Sequence, residues 1–202
     1  GASGCGKSTL LNLLHSPGTP YRGSIRFDDA ELRDISPSSL YEQIGSIQQN
    51  VFVFNASMRD NITMFRDFPS EAVKDAVTHA HLTELVAARG MDSSVGEGGC
   101  TLSGGEKQRI SIARSLLKNA DVLLVDEATS ALDPQTAHQV SADILSLAGI
   151  TRIVVTHTLE ESLLRQYDGI YVLKNGTIAE SGTFDALMAK KGYFYALYTV
   201  AQ

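Results

Sequence analysis

A glycine-rich loop at the beginning of the sequence constrains the fold more than any other feature. Gly1–Ser8 has the spacing Gly-x-x-x-x-Gly-Lys-Ser and runs directly into an apolar segment with Leu10, Leu11, Leu13 and Leu14. Glycines allow successive backbone N–H groups to turn toward an anion, and the first turn of a helix adds partial positive charge. A glycine-rich turn with a chance lysine is the alternative, but the leucine-rich helix that follows favours a phosphate-binding loop.

The side chains of this loop suggest individual roles. We expect Lys7 to reach the β- and γ-phosphates of a nucleotide and the Ser8 hydroxyl to bind Mg²⁺. Cys5 fills a variable position, and we interpret it as a tolerated small side chain rather than a nucleophile. The residues expected to bind ATP here are Gly1, Ser3, Gly4, Cys5, Gly6, Lys7, Ser8 and Thr9.

The composition excludes several classes of protein. The 202 residues include 43% hydrophobic and 20% charged residues, which is ordinary globular usage and argues against disorder. The formal net charge of −6 argues against a dedicated nucleic-acid binder. The sequence lacks an initiator Met, and residue 1 already lies inside the loop, so we expect a segment of a longer polypeptide.

Apolar strands and amphipathic helices alternate along the chain, as an α/β sheet requires. Asn175-Gly176 between two short apolar runs predicts a hairpin, and Ser70 is the predicted N-cap of a helix. The predicted strands are 24–27, 121–125, 152–156, 170–173 and 177–179, with a further apolar and β-branched stretch at 45–54. Helices are predicted to start directly after the loop and at residues 70, 103, 136 and 184. The helix that starts at residue 70 runs to about residue 86, and the helix that starts at 184 is predicted to be the last.

A buried strand that ends in two carboxylates supplies the second half of a nucleotide site. Val122–Val125 is apolar, and Asp126 and Glu127 follow it at the strand end where ligands of α/β sheets bind. We expect Asp126 to hold Mg²⁺ through water and Glu127 to accept a proton from an attacking water. Alone, this pattern would be a strand that runs into a solvated acidic turn; together with the phosphate-binding loop it indicates a nucleotide hydrolase.

Four further motifs resemble those of the ATP-binding cassette (ABC) transporter family. Leu102–Glu106 is similar to the family's signature motif, although Glu106 stands where Gln is usual. Ser130–Asp133 resembles the D-loop, His157 the switch histidine, and Gln49 the glutamine of the Q-loop. These motifs extend over almost the whole chain.

The resemblance implies a P-loop NTPase core of the RecA-like α/β class with an inserted α-helical subdomain. The expected division is a first core part at 1–54, a helical subdomain with the signature motif at 55–118, and a second core part at 119–202. Glu127, His157 and Gln49 would be catalytic, and Ser8, Gln49 and Asp126 would surround Mg²⁺. Ser103, Gly104, Gly105 and Asp133 would bind ATP held by a second copy, packed head to tail.

Two segments resemble the exporter type of the family. Ser94–Glu97 is similar to the exporter X-loop, and 52–62 resembles the region that receives the membrane domains. The apolar cluster of Phe52, Phe54, Met58 and Ile62 suits a protein-facing groove, with a packed lobe junction as the alternative. We therefore expect transmembrane domains on the same full-length chain, a location at the cytoplasmic face of a membrane, and no nucleic-acid partner.

Soluble proteins with the same ATPase head are the alternative class. DNA-repair ATPases carry long coiled coils between the loop and the signature, whereas 92 residues without sustained heptads separate Thr9 from Leu102 here. Regulatory members usually carry two cassettes, and one is present here. The family's adenine-stacking residue and first strands precede the loop, so we expect the isolated chain to fold poorly alone or to bind ATP weakly. The choice between a homodimer and a heterodimer stays open.

Overall fold

The parallel strand pair β3–β4 organises the part of the chain that carries Gln49, Asp126 and Glu127 at its strand ends. The structure is a computed structural model that describes residues 4–201. Its helices are α1 Lys7–His15, α2 Pro37–Gln43, α3 Met58–Thr63, α4 Ser70–His79, α5 Thr83–Arg89, α6 Gly104–Lys118, α7 Pro134–Ser146, α8 Glu161–Leu164, α9 Phe184–Lys190 and α10 Tyr193–Ala201. Its strands are β1 Arg26–Phe27, β2 Ala30–Glu31, β3 Ile44–Ile47, β4 Val122–Asp126, β5 Thr151–Val155, β6 Ile170–Lys174 and β7 Thr177–Gly182.

The chain divides into two units, which we describe separately. The first comprises Gly1–Pro37 with Val155–Gln202, and the second comprises Ser38–Val154. This division follows packing, whereas the three-part division expected from the motifs follows their roles, and that division remains a prediction.

The second unit is built on a three-stranded sheet of order β3-β4-β5. Strands β3 and β4 are parallel, with Ile44 opposite Val122 and Ile47 opposite Val125. Strand β4 is buried along its centre, as its continuous apolar sequence predicts. The core continues into α6, whose Ile110 and Ile112 are fully buried. Burial of this apolar face, rather than helix propensity, is the main source of stability for such a helix.

The helical run predicted over 70–86 is two helices. Helix α4 begins at Ser70 with Pro69 as its N-cap, so the predicted N-cap role of Ser70 is wrong. The break is a Schellman turn: His81 adopts φ 54°, its N–H donates to the Thr78 carbonyl, and the Leu82 N–H donates to the Val77 carbonyl. The periodicity of apolar residues along the sequence does not reveal this break, because Leu82 adds another apolar residue directly after the turn.

Two of the predicted extended segments are shorter in the structure. Strand β1 covers only Arg26–Phe27 of the predicted 24–27. The apolar stretch 45–54 forms a strand only up to Ile47, because the polar residues Gln48 to Asn50 are exposed to solvent. Within residues 4–201, no helix combines the length and apolar character needed to cross a bilayer.

The first unit contains α1, the hairpin and the C-terminal helices. Strands β6 and β7 pair antiparallel around Asn175 and Gly176, both with positive φ, which confirms the predicted hairpin. Helix α9 is not the last helix of the chain, because α10 follows it. The two helices pack on the hairpin through an apolar cluster that includes Val172, Phe184 and Phe194.

Candidate nucleotide-binding site

The glycine-rich loop leads into α1 through two residues with left-handed backbone. Gly4 has φ 74° and Gly6 has φ 102°, so at both positions glycine is favoured by conformation. Gly6 is the N-cap of α1 and offers no side chain to the first helical amides. No side chain at the N-cap therefore competes with an anion for these N–H groups. The predicted ligands Gly1 and Ser3 lie outside the described residues.

A cavity of about 280 Å³ opens beside this loop. Within the loop, the Lys7 ammonium donates to the Cys5 sulfur at 3.8 Å, and Cys5 is buried. Also in the lining, the Lys174 ammonium lies 4.6 Å from the centre of the Tyr193 ring, a cation–π contact. The cavity is lined by Gly4, Cys5, Gly6, Lys174, Asn175, Gly176 and Tyr193.

Two carboxylates stand at the end of β4, as predicted. The Oδ1 atom of Asp126 is buried and has no hydrogen-bond partner among the described residues. Leaving a buried carboxylate oxygen without a partner costs free energy, so such an atom fits a bound cation or its water. Glu127 adopts φ 51°, a left-handed conformation that is uncommon outside glycine and clusters at functional sites.

The register of the sheet brings Gln49 to the same edge as this acid pair. Ile47 is opposite Val125, so the residues after each strand leave the sheet at the same end. Gln49 is exposed there. The carboxyl ends of neighbouring parallel strands are where ligands of α/β sheets bind, and an amide and two carboxylates there offer oxygen ligands for a cation and a water.

The signature residues form the N-terminus of α6 with a complete capping box. The Glu106 N–H donates to Ser103 Oγ at 3.2 Å, and the Ser103 N–H donates to the Glu106 carboxylate at 2.6 Å. Burial alone would raise the pKa of Glu106, but these hydrogen bonds and nearby arginines hold it below its ordinary value. Glu and Gln both serve in this position of a capping box, which gives a physical reason why Glu106 replaces the usual Gln.

The two signature glycines approach the D-loop of the same chain. A Cβ on Gly105 would lie 3.1 Å from the Ala131 carbonyl oxygen, whereas one on Gly104 would have an ordinary 3.8 Å contact. Asp133 follows as the N-cap of α7 and accepts a hydrogen bond from the Thr136 N–H at 3.0 Å. That bond is the main reason why the pKa of Asp133 lies below its usual value.

The predicted site residues are divided between the two units. Lys7 and Ser8 belong to the first unit, as does His157, which is exposed two residues after β5. The second unit holds two groups: Gln49 with the acid pair, and the signature with the D-loop.

The apolar cluster predicted over 52–62 is only partly at the surface. Met58 and Ile62 are in the core, so for them the packed-junction alternative is correct. Helix α3 buries both on one face. The exposed apolar side chains are Phe52 and, beyond the helix end, Met64 and Phe65.

Sequence reasoning missed three polar residues that shape this second unit. Asn61 is fully buried, Arg114 donates to the loop around it, and His81 Nε2 lies 3.0 Å from the Asp143 carboxylate. The signal for Asn61 and Arg114 was a polar residue on an otherwise apolar helix face. No sequence signal linked His81 with Asp143, because 62 positions separate them.

Comparison with known proteins agrees with this geometry. Residues 1–130 match the family model for the ABC transporter. The chain is 40% identical over 201 residues to the β-(1→2)glucan export ATP-binding/permease protein NdvA of Rhodopseudomonas palustris, covering 98% of this chain and 33% of that protein. It is 41% identical over 204 residues to the ATP-dependent lipid A-core flippase of Syntrophus aciditrophicus, covering 98% and 33% respectively.

A solved structure shows the same architecture. The structure of a bacterial Atm1-family ABC exporter with ATP bound superimposes with a TM-score of 0.91 at 35% identity, covering 98% of this chain and 35% of that one. The fold and the motifs thus define an ATP-binding domain of the P-loop NTPase class. The chain belongs to the ABC transporter family, and it spans about a third of the length of the curated relatives it matches.

Proposed function

We propose that this chain is the ATP-hydrolysing motor of an ABC exporter. The observation that carries the proposal is the end of β4, where a buried, unpartnered Asp126 oxygen precedes a left-handed Glu127 in a chain with a phosphate-binding loop. A structural acidic turn has no need for either feature. The exporter type is favoured by the relatives named above, which are exporters or flippases.

ATP binding is assigned to the loop and the first turn of α1. The uncapped amides after Gly6 donate to phosphate oxygens, and the Lys7 ammonium balances the charge of the terminal phosphates. The Ser8 hydroxyl, the Asp126 carboxylate and Gln49 are the groups that are assigned to Mg²⁺. When bound, Mg²⁺ neutralises phosphate charge in the transition state.

Hydrolysis needs a group that takes a proton from water. Glu127 is assigned to that role because it follows Asp126 at the end of β4 with a left-handed backbone, while Asp126 is assigned to the cation. Gln49 and His157 are assigned to orienting the attacking water and the terminal phosphate.

The signature residues are assigned to a second copy of the domain. The N-terminus of α6 is an anion-binding end, and the capping box leaves other first-turn amides available. In a head-to-tail pair, Ser103, Gly104 and Gly105 of one copy bind the phosphate held by the other, and Asp133 supports this contact. Such a group supplied in trans stabilises charge in the transition state.

Membrane domains are the expected partners, at the cytoplasmic face of a membrane. Phe52, Met64 and Phe65 present an apolar surface suited to protein contact. The exported cargo is not assigned, because relatives of equal similarity carry names with different cargoes, a β-(1→2)glucan and lipid A-core.

Paired substitutions test the catalytic assignment. Lys7→Ala is expected to abolish ATP binding, measured by calorimetry. Glu127→Gln is expected to retain ATP binding while turnover falls by about 10²–10⁴, the usual contribution of a general base. Glu84→Gln, at an exposed position of α5, is the matched control and should behave as wild type. Unchanged turnover in Glu127→Gln would remove the general-base assignment.

A further inference from the structure

Three aromatic rings form a cluster at the surface of the second unit. Phe54 packs edge-to-face against Phe52 at 4.8 Å and against Phe65 at 5.3 Å between ring centres. Phe52 is 68% exposed and Phe65 is 59% exposed, so most of the surface of these two side chains is open to solvent. We call Phe52, Phe54 and Phe65 the aromatic cluster. Edge-to-face pairs alone are weak contacts, so the arrangement of the three rings depends on how their backbone is held.

Asn61 holds the backbone of this cluster from below. Its side chain accepts from the Phe54 N–H at 2.8 Å and donates to the Phe54 carbonyl at 3.0 Å, as a neighbouring strand would. The same amide donates to the Ser57 carbonyl at 2.9 Å. Asn61 is 0% exposed, so these bonds do not compete with water.

Arg114 completes the attachment from α6. Its guanidinium donates to the Phe52 carbonyl at 2.6 Å, to the Asn61 side-chain oxygen at 2.9 Å and to the Asn61 carbonyl. It also lies 6.0 Å from the centre of the Phe54 ring. Burial lowers the pKa of Arg114 to about 10, so the group stays charged at neutral pH.

These three acceptors are neutral oxygens, although a charge that is partly withdrawn from solvent, as in this half-buried arginine, is normally paired with an opposite one. The arrangement therefore costs desolvation free energy that a surface arginine would not. In return, the arrangement fixes the positions of its acceptors, because a planar guanidinium donates hydrogen bonds to several oxygens in fixed directions. A lysine ammonium at this position is a point charge that lacks this fork.

We infer that Arg114 is a positioning residue that fixes the aromatic cluster to α6. Helix α6 begins at the signature residue Ser103, so one rigid element carries the predicted ATP contact at its start and the docking surface near its end. Any displacement of the signature end then moves the cluster with it. The consequence for docking rests on the proposed function, whereas the fixation itself does not.

Hydrogen–deuterium exchange of the full-length protein tests the fixation. In Arg114→Lys, exchange across residues 52–61 is expected to rise by about tenfold or more, because this segment then opens locally. Exchange in α7 and overall thermal stability are expected to stay near wild type, a pattern that a general loss of stability would not give. Arg59→Gln is the matched control, since Arg59 on neighbouring α3 only pairs with exposed Asp92 at 3.0 Å. Exchange across 52–61 that is unchanged in Arg114→Lys would overturn the inference.

A second measurement needs no variant and applies if Arg114→Lys does not fold. In the wild-type protein, the Phe54 amide is expected to exchange as slowly as the central amides of α6, because both open together. Exchange of Phe54 that is faster by about a hundredfold would show a loop that moves independently of α6 and would overturn the inference.

Oxidative footprinting of the same full-length protein separates this inference from the proposed function. Phe52 and Tyr171 have nearly equal exposure in this structure, 68% and 66%. If a membrane domain covers the cluster, Phe52 is labelled much less than Tyr171. Equal labelling would refute docking at this surface, while the exchange result would still decide the role of Arg114.

Discussion

Ser103 has two predicted roles that a set of substitutions can separate. As the N-cap of α6 it stabilises the fold, and in the proposed dimer it also contacts ATP held by the partner. Ser103→Ala removes the acceptor of the 3.2 Å bond from the Glu106 N–H, while the return bond from the Ser103 backbone to the Glu106 carboxylate remains. Loss of an N-cap side chain costs about 1 kcal/mol.

That magnitude is measurable by urea unfolding. A loss of about 1 kcal/mol shifts the urea midpoint by about 0.3–1 M for ordinary slopes, and the melting temperature by about 2–4 °C for a chain of this size. Ser103→Asp is the informative variant, because Asp is as good an N-cap as Ser. We expect Ser103→Asp to keep wild-type stability and lose ATP turnover, since its carboxylate would repel the partner's phosphate.

Two results would refute this reasoning. A Ser103→Ala protein with an unchanged midpoint would show that the capping box does not contribute to stability. A Ser103→Asp protein with normal turnover would show that no phosphate approaches this helix end.

Three further expectations follow from single contacts. Gly105→Ala should destabilise the nucleotide-free protein by about 1 kcal/mol or more, because its Cβ would lie 3.1 Å from the Ala131 carbonyl oxygen. Gly104→Ala is the control and should not destabilise the protein, and urea unfolding of both variants in parallel measures the difference. The Glu180 carboxylate accepts two backbone N–H bonds at the start of α10, which lower its pKa. The stabilisation by the Glu180 carboxylate is therefore complete above the unfolded pKa of about 4.3 and is lost as the pH falls through the lower folded value. The difference in melting temperature between wild type and Glu180→Gln should accordingly close on acidification. A difference that stays constant with pH would contradict a lowered pKa. Gly192→Ala should resemble Glu180→Gln at neutral pH, because a Cβ there would lie 1.9 Å from the carboxylate oxygen.

Sequence patterns predicted the elements whose signal is local. The β4 strand with its two carboxylates, the Asn175-Gly176 hairpin and the capped start of α6 each depend on a few adjacent residues. These three features can therefore be predicted without knowledge of the tertiary structure. The family followed from the motifs and their order, and the comparisons confirm it. The exporter type rests on the resemblance of two segments, Ser94–Glu97 and 52–62, and stays a proposal.

Features that depend on contacts between distant residues were missed. The sequence favours a surface groove that includes Met58 and Ile62, whereas both side chains are buried in the structure. A short apolar run does not show which of its side chains face solvent. Helix α10 was overlooked because its start is capped by Glu180, far back in the chain. The sequence marks Arg114 only as a polar residue on an otherwise apolar helix face, and the fold brings it to the Phe52 carbonyl.

The mass of the protein in solution tests the central claim that two copies share each ATP. Glu127→Gln is used because it is expected to bind MgATP without hydrolysing it, and so to hold the paired state. The account predicts that the mass doubles when MgATP is added and returns to that of a single copy when it is removed. A protein that binds MgATP stoichiometrically and keeps the mass of one copy would contradict the claim.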